Sequence, residues 1–462
     1  SEAADALTIT VNTIGGGTGD ASIGVLTAGT IAGRISVITN GGSIVDANGA
    51  TNNLTSKTAI LSAQGSTGSL VDPIETVIDG LEGSGTTGFF VTNSGSLSIG
   101  GVDALFTGVA ATGGAVSVTT TGSLILEQNE SITAGADITL TTNETSGSGE
   151  LLISAGSTVS TSGGNISFSA GDDITVAASA TVDSFGTILI DSEVGDADPG
   201  TGSTISLLGN VTSGGTVTLD GGADNDNYII QYPDPGSFGG PVTIVDAGGP
   251  NSTADSVTVH GSGLSESLFI TSNALDTVIG RGAANTETIT LPSSIESLSL
   301  TGGAGMDAFT VQPSLSTAIT ADGGTPGVTP GDTLNFDPLG NNFAIIGDRF
   351  VTTGGFEDVT FRNFESVPIG SVSAGPTQRF DLNSTFFNGT MQVPTATQAG
   401  FDSVTPDTVY TAGGFGWDIP AGNFKNGDNT GADADLINDG HVFRPQSGAE
   451  VRTFTVTIGN GF

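Results

Sequence analysis

Residues 113–142 read GGAVSVTTTGSLILEQNESITAGADITLTT and hold one structural unit plus the opening of the next. Val116-Ser117-Val118 forms an apolar-x-apolar core, Leu124-Ile125-Leu126 a second, and Ile132 marks a third short apolar site. Ile138-Thr139-Leu140 then opens the following unit. Further on, Ile166-Ser167-Phe168, Ile188-Leu189-Ile190 and Val217-Thr218-Leu219 take the same place, at successive spacings of 22, 28, 22 and 29 residues. The two long intervals carry extra turn residues, Ser146 to Gly149 and Asp196 to Gly202. Three short strands in each ~22-residue unit, with polar turns between, predict a parallel β-helix, or β-solenoid. One coil cannot bury its inward side chains alone. Stacking at about 4.8 Å lets each strand pair with its equivalents above and below. Inward Val, Ile, Leu and Phe then alternate with outward Ser, Thr and Asp.

Composition narrows the classes. The 462 residues include 73 Gly, no Cys, 9 Lys+Arg and 48 Asp+Glu, for a net charge of 9 − 48 = −39. So much Gly argues against a coiled coil or helical bundle. Without Cys there is neither a disulfide scaffold nor a thiolate metal site. A surface of that charge repels phosphate, which argues against nucleic-acid binding. No apolar run approaches the ~18–20 residues of a membrane helix, so membrane insertion is not expected. Ser1 at the start and Phe462 at the end read as cuts in a longer or processed chain.

Four regions follow. Residues 1–112 read as an irregular solenoid start, with strands at Ile35-Ser36-Val37, Ile44-Val45, Ala59-Ile60-Leu61, Phe89-Phe90-Val91 and Leu97-Ser98-Ile99. Within them Val71 to Leu81 has apolar residues near helical spacing and reads as a turn of helix or a protruding loop. Residues 113–220 are the regular β-helix, and 221–370 a solenoid with Gly–Asp turns. Residues 371–462 read as an antiparallel β-sandwich, incomplete where the chain stops. The run Asp72 to Val102, with GFFVTNSGSLSIGGV, resembles the haemagglutinin-like repeats of very large bacterial adhesins, as does GGNISFSAGDDITV. That resemblance implies an extracellular bacterial surface protein.

From Leu219 onward the turns carry Gly-Gly and Asp. Gly221 to Asp226, Gly248 to Asp255, Gly302 to Asp307 and Gly323 to Asp332 each precede a strand. Residues 302–310 fit the G-G-x-G-x-D-x-U-x nonapeptide of calcium-binding β-rolls and resemble the repeats of secreted bacterial toxins. Hard carboxylate oxygens in such turns suit Ca²⁺, which makes Asp224, Asp226 and Asp307 the candidate metal ligands and calcium the candidate cofactor. The alternative is that Gly-Gly and Asp only build tight turns. The matching units lie far apart, unlike the consecutive repeats of the toxins.

In the last region AGFDSVTPDTVYTAGGFGWDI and RTFTVTIGNGF resemble the galactose-binding-like jelly rolls of planctomycete-style surface proteins. The resemblance implies sugar contact through Tyr410, Phe415 and Trp417; the alternative places them in a core. The Asp- and Asn-rich run 426–440 could hold an ion or be a solvated loop.

Catalysis is not expected. Polysaccharide elimination on a β-helix needs a basic residue, and none lies between Lys57 and Arg281. Hydrolysis needs carboxylates at set separations, whereas Asp172 and Asp173 are adjacent and point to opposite faces. The two histidines, His260 and His441, have no nearby Ser–Asp set. The leading expectation is a structural rod of roughly 13–16 coils, about 60–80 Å long, part of a surface adhesin, fibre or surface layer. It would associate with itself or with other surface proteins. The alternatives are a glycan-binding module on a solenoid stalk and a β-helix polysaccharide-degrading enzyme.

Overall fold

The computed structural model describes residues 6–11, 19–143, 149–195, 201–234, 236–246, 255–282, 287–325 and 331–367, and beyond them the backbone of five short strands. The chain packs as two compact units, one of residues 1–340 and 354–371, the other of 341–353 and 372–462. All described elements are strands. No helix among the described residues is long and apolar enough to cross a membrane.

The first unit is a parallel β-solenoid of about 12 turns. Its stacking register is the one the repeat implies. Val116, Ile138, Ile166, Ile188, Val217, Val242 and Ile289 lie one above another, as do Val118, Leu140, Phe168, Ile190, Leu219 and Ile244. All are buried. Each such side chain contributes about 1.5–3 kcal/mol on leaving water, and each strand in these rows is paired with the next.

The opposite wall starts as single six-residue strands, Ala6–Val11, Arg34–Thr39, Thr58–Ala63 and Gly80–Gly85, paired in parallel. Gly80–Gly85 then supports two shorter strands, Leu97–Ile99 and Gly108–Ala111. From there two columns run side by side. Leu97–Ile99 leads to Leu124–Leu126, Leu151–Ile153, Ile174–Val176 and Thr204–Leu207. Gly108–Ala111 leads to Ser131–Ala134, Thr158–Thr161, Thr181–Ser184 and Asn210–Ser213. These are the second strand and the third apolar site of the repeat.

The corner between the two columns is left-handed at Asn129 (φ 61°), Gly156 (φ 74°) and Ser179 (φ 66°), each two residues before a strand. A Cβ in that conformation costs roughly 1–2 kcal/mol. Ser179→Gly is therefore expected to raise the thermal midpoint, with a gain of up to about 1 kcal/mol after glycine's own entropy cost. An unchanged or lower midpoint would contradict this reading of the corner.

Residues 71–81 correct the helix-or-loop expectation. They hold the strand Ile74–Val77 and the start of Gly80–Gly85. Ile74, Thr76 and Ile78 are buried while Val71 is 92% exposed. The operative period is therefore two, and the apparent helical spacing came from counting the exposed Val71.

Among its described strands the solenoid departs from parallel stacking once. Between the rungs Ser256–His260 and Ser297–Thr301 lies an antiparallel meander of Ser267–Ser272, Asp276–Arg281 and Glu287–Pro292. Its last strand pairs in parallel with Val242–Val245 and its first with Ala308–Val311. One wall thus gains two strands, about 10 Å of extra height, where the opposite wall gains none. The meander consumes sequence without adding turns, which is one reason the coils number about 12 rather than the expected 13–16.

In the second unit Phe343–Ile346 and Arg349–Thr352 form a hairpin closed by Phe343 against Phe350, ring centroids 5.9 Å apart. Thr408–Ala412, Phe415–Ile419 and Thr455–Ile458 pair antiparallel, as do Phe424–Lys425 and Arg444–Pro445. The expected sandwich, and the side chains of Tyr410, Phe415 and Trp417 that the resemblance implied as sugar contacts, lie outside the described residues.

Candidate metal centre

The acidic turns organise into two ladders along the solenoid. At one corner the Ser203 N–H donates to Asp226 Oδ1 (2.9 Å), the Asp226 N–H to Asp255 Oδ1 (2.8 Å), and the Asp255 N–H to Glu296 Oε2 (2.8 Å). At another, the Glu266 N–H donates to Asp307 Oδ1 (2.8 Å), the Asp307 N–H to Asp332 Oδ1 (2.7 Å), and the Asp332 N–H to Glu365 Oε2 (2.6 Å). Each acid but Glu365 stands immediately before a strand, and its carboxylate accepts from the residue immediately before the strand one rung earlier. The N–H just ahead of a strand falls outside its ladder, and a buried one left unpaired is costly. The neighbouring carboxylate supplies the partner.

The glycines ahead of these acids are required by space. A Cβ on Gly302 would lie 2.5 Å from Asp307 Oδ2 and 2.6 Å from the Gly323 carbonyl oxygen. On Gly221 it would lie 2.4 Å from the Tyr228 hydroxyl and 2.5 Å from Asp226 Oδ2. The Gly-Gly of the motif thus makes room for the buried acid that follows five residues later.

Of the predicted ligands, the structure brings Asp226 together with Asp246 and Asp255. One carboxylate oxygen from each lies within 4.8 Å of the others. Asp226 and Asp255 precede Asn227–Gln231 and Ser256–His260, successive strands stacked on Thr204–Leu207, and Asp246 follows Val242–Val245 on the other wall. Tyr228 buttresses the corner: its hydroxyl accepts from the Gly221 N–H (3.0 Å) and donates to the Val245 carbonyl (3.4 Å). Asp224 sits in the turn two residues before Asp226 and is not part of that group. Asp307 belongs to the other ladder, with Asp332 and Glu266.

Burial raises the carboxyl of Asp226 to about 7, against the Ser203 N–H that lowers it and with Glu193 and Asp255 adding to the rise. Burial likewise raises Asp255 to about 6, opposed by the Asp226 N–H and reinforced by Asp246 and Glu296. Asp307 is also raised to about 6, by burial first and then by Asp332 and Glu266 against the Glu266 N–H. Burial pushes Asp332 upward too.

Other residues singled out in sequence take structural positions. Asp172 Oδ2 accepts from the Gly149 N–H (2.8 Å) and Asp173 Oδ1 from the Thr204 N–H (2.7 Å). His260 ends a strand, and its carbonyl accepts from the Tyr232 N–H. Arg281 pairs with Glu266 (3.1 Å) and Glu287, donates to the carbonyls of Pro233 (3.0 Å) and Gly236 (2.7 Å), and lies 4.6 Å over the Tyr232 ring.

Asp246, Asp255 and Asp332 were not among the candidate ligands. A signal for two of them stands in the sequence: an acid followed by x-apolar-x-apolar. It occurs at Asp226-Asn-Tyr-Ile-Ile in relaxed form, and at Asp255-Ser-Val-Thr-Val, Asp307-Ala-Phe-Thr-Val and Asp332-Thr-Leu-Asn-Phe. Asp246, at a strand's exit, has no such marker.

Fold and corner together define a β-solenoid repeat protein with a buried acidic triad. Comparison with family models, curated proteins and solved structures finds no match for the chain.

Proposed function

We propose that the chain is an extracellular structural protein, a β-solenoid rod of a bacterial surface adhesin, fibre or surface layer. The observation that carries this is the in-register ladder of about 12 turns. Such a ladder leaves few strand edges for proteases and spans distance with little sequence. About 12 rungs at ~4.8 Å give a solenoid of about 60 Å. The net charge of −39 keeps such a rod dispersed where cations screen it. Calcium is the ion we assign to its acidic corners, and its work is spacing and display rather than catalysis. Its partners are further copies of itself or other surface proteins.

Negative-stain electron microscopy of the full chain, with calcium and with chelator, tests the reading. Elongated particles, separate or joined into filaments, are expected. Compact round particles in both conditions would overturn it.

A further inference from the structure

The geometry points to a single divalent-cation site formed by Asp226, Asp246 and Asp255, taking a hard ion of the calcium class. The inference deepens the calcium assignment above by naming the corner that holds it. Two oxygens bound to one ion at about 2.4 Å can be no more than about 4.8 Å apart, and the three carboxylates meet that bound. Asp226 is 2% and Asp255 0% exposed, and the Oδ2 of each accepts no hydrogen bond. Their Oδ1 atoms are committed to the backbone ladder. Each of these two buried residues therefore keeps one oxygen for another partner.

Charge balance argues the same way. The charged groups that shift Asp226 and Asp255 are Glu193, Asp246 and Glu296 together with Asp255 itself, and these are acids. Some buried carboxylates elsewhere in the solenoid have a counter-charge, although the charged groups acting on Asp307 and Asp332 are acids as well. Glu266 and Glu287 share Arg281. Asp322 has Arg362 (2.7 Å) and the Asn363 amide (2.7 Å). The sequence has no Lys or Arg between Lys57 and Arg281, and Arg281 is engaged elsewhere. Uncompensated buried carboxylates are costly, and a divalent cation would neutralise them. Oxygen-only ligation suits Ca²⁺, with water completing its 6–8 positions, over Zn²⁺ or Cu²⁺, which prefer nitrogen or sulfur. The ion would tie two successive coils of one wall to a strand end of the other.

The test is calorimetric titration of the chelator-stripped full chain with CaCl₂, paired with thermal melting. Binding at the triad, with a midpoint raised by calcium, is expected. Asp246→Asn and Asp255→Asn should each weaken that binding at least tenfold while leaving the metal-free midpoint unchanged or higher, since each removes a repelling charge. Asp307→Asn, in the other ladder, should leave it intact. Terbium, a calcium stand-in, should show emission sensitised by Tyr228 and lost in Tyr228→Phe. No calcium binding by the full chain, or binding unchanged in both Asp246→Asn and Asp255→Asn, would overturn the site. Elongated particles without calcium binding would reject the site and leave the rod reading standing.

Discussion

Arg281→Met is expected to cost about 3–5 kcal/mol, the usual penalty for leaving a buried charge without its partner. The guanidinium is 12% exposed and holds two carboxylates and two carbonyl oxygens. Glu266 also takes the Ser262 N–H (2.7 Å), and Glu287 the Phe238 N–H (3.2 Å). Those bonds tie the meander to the coil before it, so the carboxylates cannot swing out to water without breaking them. The loss would appear as a lower urea midpoint and as faster hydrogen exchange across Ser267–Pro292. Adding Glu266→Gln and Glu287→Gln should restore much of it, because the hydrogen bonds can persist without charge. A Met variant as stable as the parent would show that the cluster is solvated.

The second large effect is on pH. In chelator, the solenoid should be more stable at pH 5 than at pH 8. Asp226, at about 7, and Asp255 and Asp307, at about 6, lie above the ordinary 3.8. Between about pH 4 and 7 the folded chain therefore holds more protons than the unfolded one. Stability falls as pH rises through that window and levels off above it. Each group contributes on the order of one to a few kcal/mol once solvent screening is allowed for. The groups facing them act in the same sense: Glu193 on Asp226, Asp246 and Glu296 on Asp255, Asp332 and Glu266 on Asp307. Asp226→Asn with Asp307→Asn should flatten the profile while keeping the ladder, since an amide oxygen can still accept the Ser203 and Glu266 N–H groups. A melting temperature that climbs from pH 5 to pH 8 in chelator would contradict the burial of these carboxyls.

The coils were legible because the solenoid repeats its inward residues at fixed intervals. Val116, Ile138 and Ile166 can be aligned by eye, and the structure stacks them. Strand direction was not legible. Ser267–Ser272 and Asp276–Arg281 show the alternation of any strand, and nothing in their apolar pattern distinguishes a hairpin from a coil. One local signal existed: Asn273 Oδ1 accepts the N–H groups of Leu275 (2.7 Å) and Asp276 (3.0 Å), an Asn-built turn tight enough to reverse the chain. The Gly–Asp motif was visible and its role was not. In sequence it reads as a calcium nonapeptide. In the fold Asp307 Oδ1 serves a backbone N–H of the neighbouring coil, and among the described residues only at Asp226 does stacking bring in two more carboxylates. Bringing Asp246 and Asp255 to that point depends on coil register, which no local motif encodes.

Coil register can be measured directly because the chain has no cysteine of its own. Thr139 and Ser167 face each other on stacked outward positions of successive coils. Parallel neighbours stand within the Cα separation of about 4.4–6.8 Å that a disulfide requires. Thr139→Cys with Ser167→Cys should therefore oxidise to an intramolecular disulfide without loss of stability. Thr139→Cys with Ser160→Cys, on a strand of the opposite wall, should stay reduced. No bond in the first pair, or equal bonding in both, would contradict the solenoid.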